Sequence, residues 1–458
     1  MGMVMQSQNS TPSASLLRVL GVGFGLAAVV GGVVGQGIMR APGIVAGVLP
    51  GYWLILGFWV IGGILALIDG FAIMELASSI PRSGGPYVWA DRAFGPFAGK
   101  MLGWTDWTNG VVGIGFTAVV FAEYLQRLGV FTFLPLGLIA VTLIFVLAAI
   151  NWTGTRTSGA SQTIGSAIKG LALLALILIL FSGPSASPVH SVPMSPALTL
   201  AAVVIAIRAI NNTYGGWNAA AYFCEEMHEP ERNIVRATFG GILIVTILYV
   251  LVNAAILHVL TPNQMAASIL PAADAAAATL GEASGTVMTG LAIFSVIAIA
   301  NLTVMFVTRI CHGMARDGYL PKILANVSVA GTPRMALYAT TIGGALLAST
   351  GGYERLIAIG APTGILINAA VDLAAIRLRY REPDLHRPFK MPLFPLPALI
   401  GLLINAALLI ALSYEDPFNS LAGIAFVVVI GSVYKVMQWF RSRRLLSTQP
   451  NSNFEGPA

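Results

Sequence analysis

Apolar residues in this chain run in blocks of about 20, enough for a helix to cross ~30 Å of hydrocarbon, and short polar connectors separate them. The blocks fall at 17–48, 51–78, 96–126, 133–150, 159–182, 197–224, 234–260, 285–311, 334–351, 354–376, 392–413 and 417–440. This pattern predicts an all-α polytopic membrane protein with twelve transmembrane helices. The longer connectors, 80–95, 261–284 and 377–391, are too short for a soluble domain. The segment 261–284 is Ala-rich and broken at prolines, which predicts a short helical hairpin, either a lid over the outer mouth or a surface loop.

Composition agrees. Charged residues make up 10% of the 458 positions, against roughly 25% in soluble domains, and 56% are hydrophobic. The net charge of +6 does not mark a nucleic-acid partner, because the basic residues punctuate block ends and do not gather on one face. With the N-terminus inside, 20 of the 25 Lys and Arg fall at inner ends and loops, so both termini are expected in the cytoplasm and the chain in the inner (plasma) membrane. Residues 1–15 lack a basic n-region, so the first block reads as a permanent span. Cys224 and Cys311 fit no ligand spacing, and the five histidines are scattered. Neither a metal site, a cofactor, a disulfide nor an obligate protein partner is expected. No Walker loop, GxSxG elbow or HExxH appears, which argues against an enzyme.

Two blocks are unfit to be plain helices. The first contains VVGGVVGQGIMRAPG, and each of its glycines lowers helical stability by up to ~1 kcal/mol. A break near Gly35-Gln36-Gly37 competes there with a packing role, since Gly31 and Gly35 form a GxxxG pair. The sixth, IRAINNTYGGWNAAAYF, places Asn211, Asn212, Thr213, Gly215, Gly216 and Asn218 at hydrocarbon depth. Irregular backbone is tolerated there only when buried in protein or lining a cavity. Interruptions in the first and sixth of ten helices point to a secondary transporter built from a 5+5 inverted repeat, with two further helices at the C-terminus. The divisions are then a tail at 1–16, repeats at 17–182 and 197–376, two added helices at 392–440 and a tail at 441–458.

The breaks also define a ligand. A half-helix starting after Gly37 offers unpaired N–H groups to a carboxylate, and free carbonyls near Asn212 to Tyr214 suit an ammonium. A site with both preferences describes an α-amino acid. Tyr214 or Trp217 either forms part of the pocket or packs behind it.

Several ordered motifs resemble the amino acid-polyamine-organocation (APC) superfamily of permeases, which has the leucine-transporter-like fold. They are Gly35-Gln36-Gly37-Ile38, Met74-Glu75-Leu76-Ala77 with Ile80-Pro81 and Gly84-Gly85, and Ala93-Phe94-Gly95-Pro96. Tyr214-Gly215-Gly216-Trp217-Asn218 follows, then Glu225-Glu226 with Pro230, Arg232 and Asn233, and finally Arg309, Ala315-Arg316-Asp317-Gly318 and Leu320-Pro321. The resemblance implies carboxylate binding by the segment Val34, Gly35, Gln36, Gly37 and Ile38, and amino-group binding by carbonyls around Asn212, Thr213 and Tyr214, with Gly215, Gly216 and Trp217 beside them. Asn212 stands where many relatives carry an aromatic gate.

Lys169 lies inside the fifth block, where a charge costs at least ~2.5 kcal/mol unless it is paired, hydrated or neutral. It either faces the bundle and exchanges protons, or snorkels to the headgroups. By resemblance, the Gly159-to-Lys169 spacing places it at the sodium position of sodium-coupled cousins, beside Gly32, Asn301 and Thr303; exchangers in the family also carry a lysine there. Arg40 and Arg208 fall in the outward halves of the interrupted spans, Asp106 either lines the inner path or, the favoured reading, is a tied-down structural carboxylate, and Asp372 reads as a helix-end salt bridge to Arg377, Arg379 or Arg381. The expected activity is secondary active transport of amino acids or related amines, as proton-coupled uptake or as exchange. A non-transporting nutrient sensor is the reading from another class.

Overall fold

The computed structural model describes residues 15–35, 37–185, 198–281, 284–350 and 353–415, with scattered residues between 417 and 432 and backbone alone for 353–359 and 415. Gln36, residues 1–14, the tail at 441–458 and most of the expected twelfth block lie outside the described residues. The helices are α1 (Val22–Val33), α2 (Gly37–Val48), α3 (Tyr52–Ser79), α4 (Pro86–Phe94), α5 (Pro96–Arg127), α6 (Leu136–Trp152), α7 (Thr155–Ser182) and α8 (Leu200–Tyr214). They continue with α9 (Pro230–Val259), α10 (Pro262–Ala267), α11 (Pro271–Leu280), α12 (Ser284–Arg316), α13 (Arg334–Ser349), α14 (Tyr353–Arg381) and α15 (Leu396–Glu415). A 3₁₀ segment, Trp217–Phe223, follows α8.

Among the described residues seven helices, α3, α5, α7, α9, α12, α14 and α15, are long and apolar enough to cross a membrane, and α1 and α2, bent by 51° across a short break, pass the same test taken together. Leucines on their outer faces, Leu171, Leu178 and Leu403 among them, are 65–71% exposed, as lipid-facing positions should be. The chain is a multi-pass membrane protein.

Local chemistry sets the ends. Proline stands at the first turn of α4, α5, α9, α10 and α11, where its missing N–H has no helical partner to lose. Thr261 and Gln264 form a reciprocal capping box on α10. The segment 261–284 therefore does fold into two short helices, with α10 packed against α2: a Cβ on Gly43 would lie 2.6 Å from the Ser268 carbonyl oxygen. The connector 80–95 contains α4.

The buried hydrophobic residues form two clusters. One is drawn mainly from α1, α2, α3, α9 and the 3₁₀ segment, with Ala206, Ile210 and Tyr214 of α8, and the other from α5, α6, α12 and α13. The interrupted spans belong to the first cluster and face α5 and α12 across a cavity.

Candidate functional site

The two interruptions touch. A Cβ built on Gly216 would lie 2.6 Å from the carbonyl oxygen of Gly32, and one on Gly32 would lie 2.8 Å from that of Gly216. Gly216 also sits at φ +103°, a left-handed geometry that disfavours side chains. The α1–α2 turn and the α8–3₁₀ turn therefore cross backbone to backbone. α2 begins at Gly37, so its first N–H groups have no partner within the helix. α8 ends at Tyr214, where the Gly215 N–H donates to the Asn212 carbonyl at 3.4 Å.

Tyr249 of α9 ties the two breaks together. Its hydroxyl lies 2.9 Å from the carbonyl oxygen of Val33 and 3.1 Å from that of Thr213, one at each interrupted helix end. Its ring meets Trp59 and Tyr214 edge to face at 5.6 and 5.0 Å. The Tyr214 hydroxyl donates to the Trp59 carbonyl at 2.8 Å. Tyr214 is thus part of this aromatic strut and does not line the cavity; Val34, Ile38 and Trp217 are likewise buried outside the lining. Tyr249 was not anticipated. Its only signal was a tyrosine four residues before Asn253 within an otherwise apolar run.

Gly32, Gly35, Gly37, Asn212, Thr213, Gly215, Gly216 and Thr303 line a cavity of about 990 Å³. Asp106 and Asn109 of α5, Tyr222 of the 3₁₀ segment and Phe306 of α12 form a further wall. Arg40, Glu123, Arg127 and Leu270 extend the lining away from the breaks, whereas Arg208 is not among its residues.

Beyond the cavity lining lies a group of ion pairs. The Arg309 guanidinium donates to both oxygens of Glu226 at 2.9 Å, with the side chains 2% and 0% exposed, and Thr155 donates to the same carboxylate at 3.0 Å. Backbone bonds from Val19 and Leu20 to the Glu226 carbonyl, and from His228 to that of Leu20, pin the chain before α1 to this element. Arg316 pairs with Glu225 and Arg82 with Asp317, each at 2.7 Å. Arg92 reaches Glu382 at 2.6 Å, and this hydrogen bond holds the Glu382 carboxyl below the usual glutamate range.

Lys169 is 2% exposed, so it does not snorkel. Its ammonium donates to the Gly31 carbonyl at 2.8 Å and approaches the Ser295 carbonyl at 3.5 Å, bridging α7 to the last turn of α1 and to α12. One helical turn earlier Ser166 donates to the Ala27 carbonyl at 2.8 Å. Asn301, expected near Lys169, is hydrogen-bonded to Asn151 at 3.0 Å and to Gln162 at 2.9 Å. The Thr303 hydroxyl donates to its own helix at Ile299.

Asp372 does not make the expected salt bridge. Arg377 and Arg381 donate to the Ala93 carbonyl, and Arg379 and Arg387 grip Glu75, which also accepts the Met391 N–H. Asp372 lies deeper along α14, where it faces Asp69 beside Gly401, because the arginines reach the nearer acceptors at the helix end. Asn405 donates to it at 3.5 Å.

Two interrupted helices thus meet at a cavity inside a helical bundle, an arrangement that suits the passage of a small solute. Comparison with known proteins is more specific. Residues 23–436 match the amino acid permease family, and the chain belongs to it. It is 30% identical over 444 residues to the mouse large neutral amino acids transporter small subunit 2, covering 92% of this chain and 81% of that protein. It is 28% identical over 401 residues to the serine/threonine exchanger SteT of Bacillus subtilis, covering 86% and 90%. It is 26% identical over 415 residues to the mouse b(0,+)-type amino acid transporter 1, covering 88% and 84%.

Proposed function

We propose that the chain carries α-amino acids across the inner (plasma) membrane by alternating access, with proton-coupled uptake as its working mode. The substrate carboxylate takes backbone N–H groups around the start of α2, from Gly35 to Gly37, and the amino group takes the carbonyl ends of α8 around Asn212 to Tyr214. The observation that carries the coupling is the buried Lys169 ammonium spanning Gly31 and Ser295. Charged, it clamps the broken span to α7 and α12; on losing its proton it loses the ionic component of that clamp, which frees α1 to swing. Proton loading thus becomes a condition for holding one face of the cycle.

The wider architecture follows the same reading: twelve spans, α1 to α7 and α8 to α14 as inverted repeats of five spans, and both termini cytoplasmic. The ion pairs between Arg82, Glu225, Glu226, Arg309, Arg316 and Asp317 then close the inner mouth, and the cavity faces outward. No protein partner is required for this cycle. Both cysteines are buried, so neither offers an exposed thiol for a linked subunit.

A second reading, obligate exchange, is favoured by the similarity to a serine/threonine exchanger. Purified protein in proteoliposomes separates the two. Proton-coupled uptake predicts accumulation in empty vesicles that rises with an inward proton gradient. Exchange predicts uptake confined to preloaded vesicles and indifferent to the gradient.

A further inference from the structure

Asp106 has an unusual environment for a carboxylate. It is 4% exposed, and its one hydrogen-bond donor among the described residues is the Tyr222 hydroxyl, 3.2 and 3.1 Å from its two oxygens. None of the ion pairs among the described residues includes it. An ionised carboxylate has about four lone-pair sites, and leaving most of them empty in a low-dielectric interior is costly. Tyr222 cannot turn to offer more. Its ring stacks on Phe306 at 4.8 Å, and Gly85 abuts its edge so closely that a Cβ there would lie 2.5 Å away.

What Asp106 does face is the cavity. Asn109, one turn along the same face of α5, also lines it and accepts the Thr363 hydroxyl at 3.0 Å. Ile299 and Phe306 supply apolar surface in the same cavity. This combination matches an aliphatic stem that ends in a cation: methylenes lie on the apolar residues, and the charged head brings the donors that Asp106 lacks.

We propose that Asp106 is a specificity-determining residue that takes the positively charged end of a substrate side chain, making amino acids with a terminal ammonium or guanidinium the preferred cargo. This rests on the amino acid transport reading above and narrows it.

The test is tracer counterflow in proteoliposomes at zero membrane potential, comparing lysine with norleucine, which has a four-carbon aliphatic side chain without the charge. The wild-type ratio of kcat/KM for lysine over norleucine is expected to be at least tenfold. Asp106→Asn should lower that ratio at least tenfold, whereas Asp106→Glu should keep lysine preferred. A wild type that favours norleucine overturns the proposal, and this needs no variant to fold. So does an Asp106→Asn protein that slows both substrates equally, the mark of a structural role, or one that loses proton-gradient dependence with an unchanged ratio, the mark of a proton carrier. Transport of neither amino acid while others move also overturns it and leaves the parent reading intact; transport of no amino acid sinks the parent reading first.

Discussion

Replacing Gly216 by alanine tests the crossing of the two interrupted spans. The new methyl would stand 2.6 Å from the Gly32 carbonyl oxygen and 2.9 Å from its carbon, both backbone atoms that cannot rotate away. Restoring an ordinary contact needs a separation of about 3.4 Å, so one turn must move by about 0.8 Å against a close-packed neighbour. Overpacking of this kind costs roughly 1–3 kcal/mol. The left-handed φ of +103° adds about 1–2 kcal/mol for a residue with a Cβ. Together these give ~2–5 kcal/mol, which at ~2 °C per kcal/mol lowers the unfolding midpoint by roughly 4–10 °C. Gly215 is the internal control, because its φ is −57° and a Cβ there meets only the Asn212 carbonyl, at 3.4 Å. Fluorescence-monitored thermal unfolding in detergent should show Gly216→Ala clearly destabilised and Gly215→Ala close to wild type. Equal shifts, or the larger shift at Gly215, would refute the backbone crossing.

Other outcomes follow from the same geometry. Tyr249→Phe removes the hydroxyl that reaches Val33 and Thr213 while keeping the ring, so it should cost about 1–3 kcal/mol and raise KM for transport; unchanged KM and midpoint would contradict the strut. Glu226→Ala strands a guanidinium that is 2% exposed and should destabilise by about 3–5 kcal/mol, well beyond Arg82→Ala at the half-exposed pair with Asp317. Comparing the two unfolding midpoints checks this. Glu382 has its carboxyl held low by Arg92, so the pairing stabilises above the ordinary glutamate value of 4.5 and is lost as pH falls through the depressed folded value. The small midpoint difference between wild type and Glu382→Gln should therefore be present at pH 7 and fade as pH falls below 4.5; a difference that grows on acidification would reverse the sign.

Much of this architecture is legible locally. Apolar block length finds the spans because hydrocarbon thickness sets it, and the glycines at 31–37 and 215–216 mark the interruptions because each weakens its own helix. Block ends are less legible: α7 begins at Thr155 and α14 runs to Arg381, since polar residues extend a helix into the interface as readily as apolar ones. The nine-residue α4 hides in a connector because it is far shorter than a span and carries Asp91 and Arg92. Contacts between distant positions leave no local trace. Glu226 meets Arg309 across 83 positions, and Tyr249 reaches Val33 across 216. Asp372 shows the converse error, where nearby arginines suggested a partner that packing assigns to Glu75 and Ala93. Lys169 was singled out because a charge in an apolar run is conspicuous, yet its acceptors are backbone carbonyls, which carry no residue signature.

The central claim is that Lys169 couples proton movement to the swing of the interrupted span. The most direct measurement compares wild type with Lys169→Ala in proteoliposomes carrying an inward proton gradient, following uphill amino acid accumulation and, in the same preparations, tracer exchange at equilibrium. The account predicts that the variant loses accumulation while exchange persists. Full gradient-driven accumulation by Lys169→Ala would contradict it.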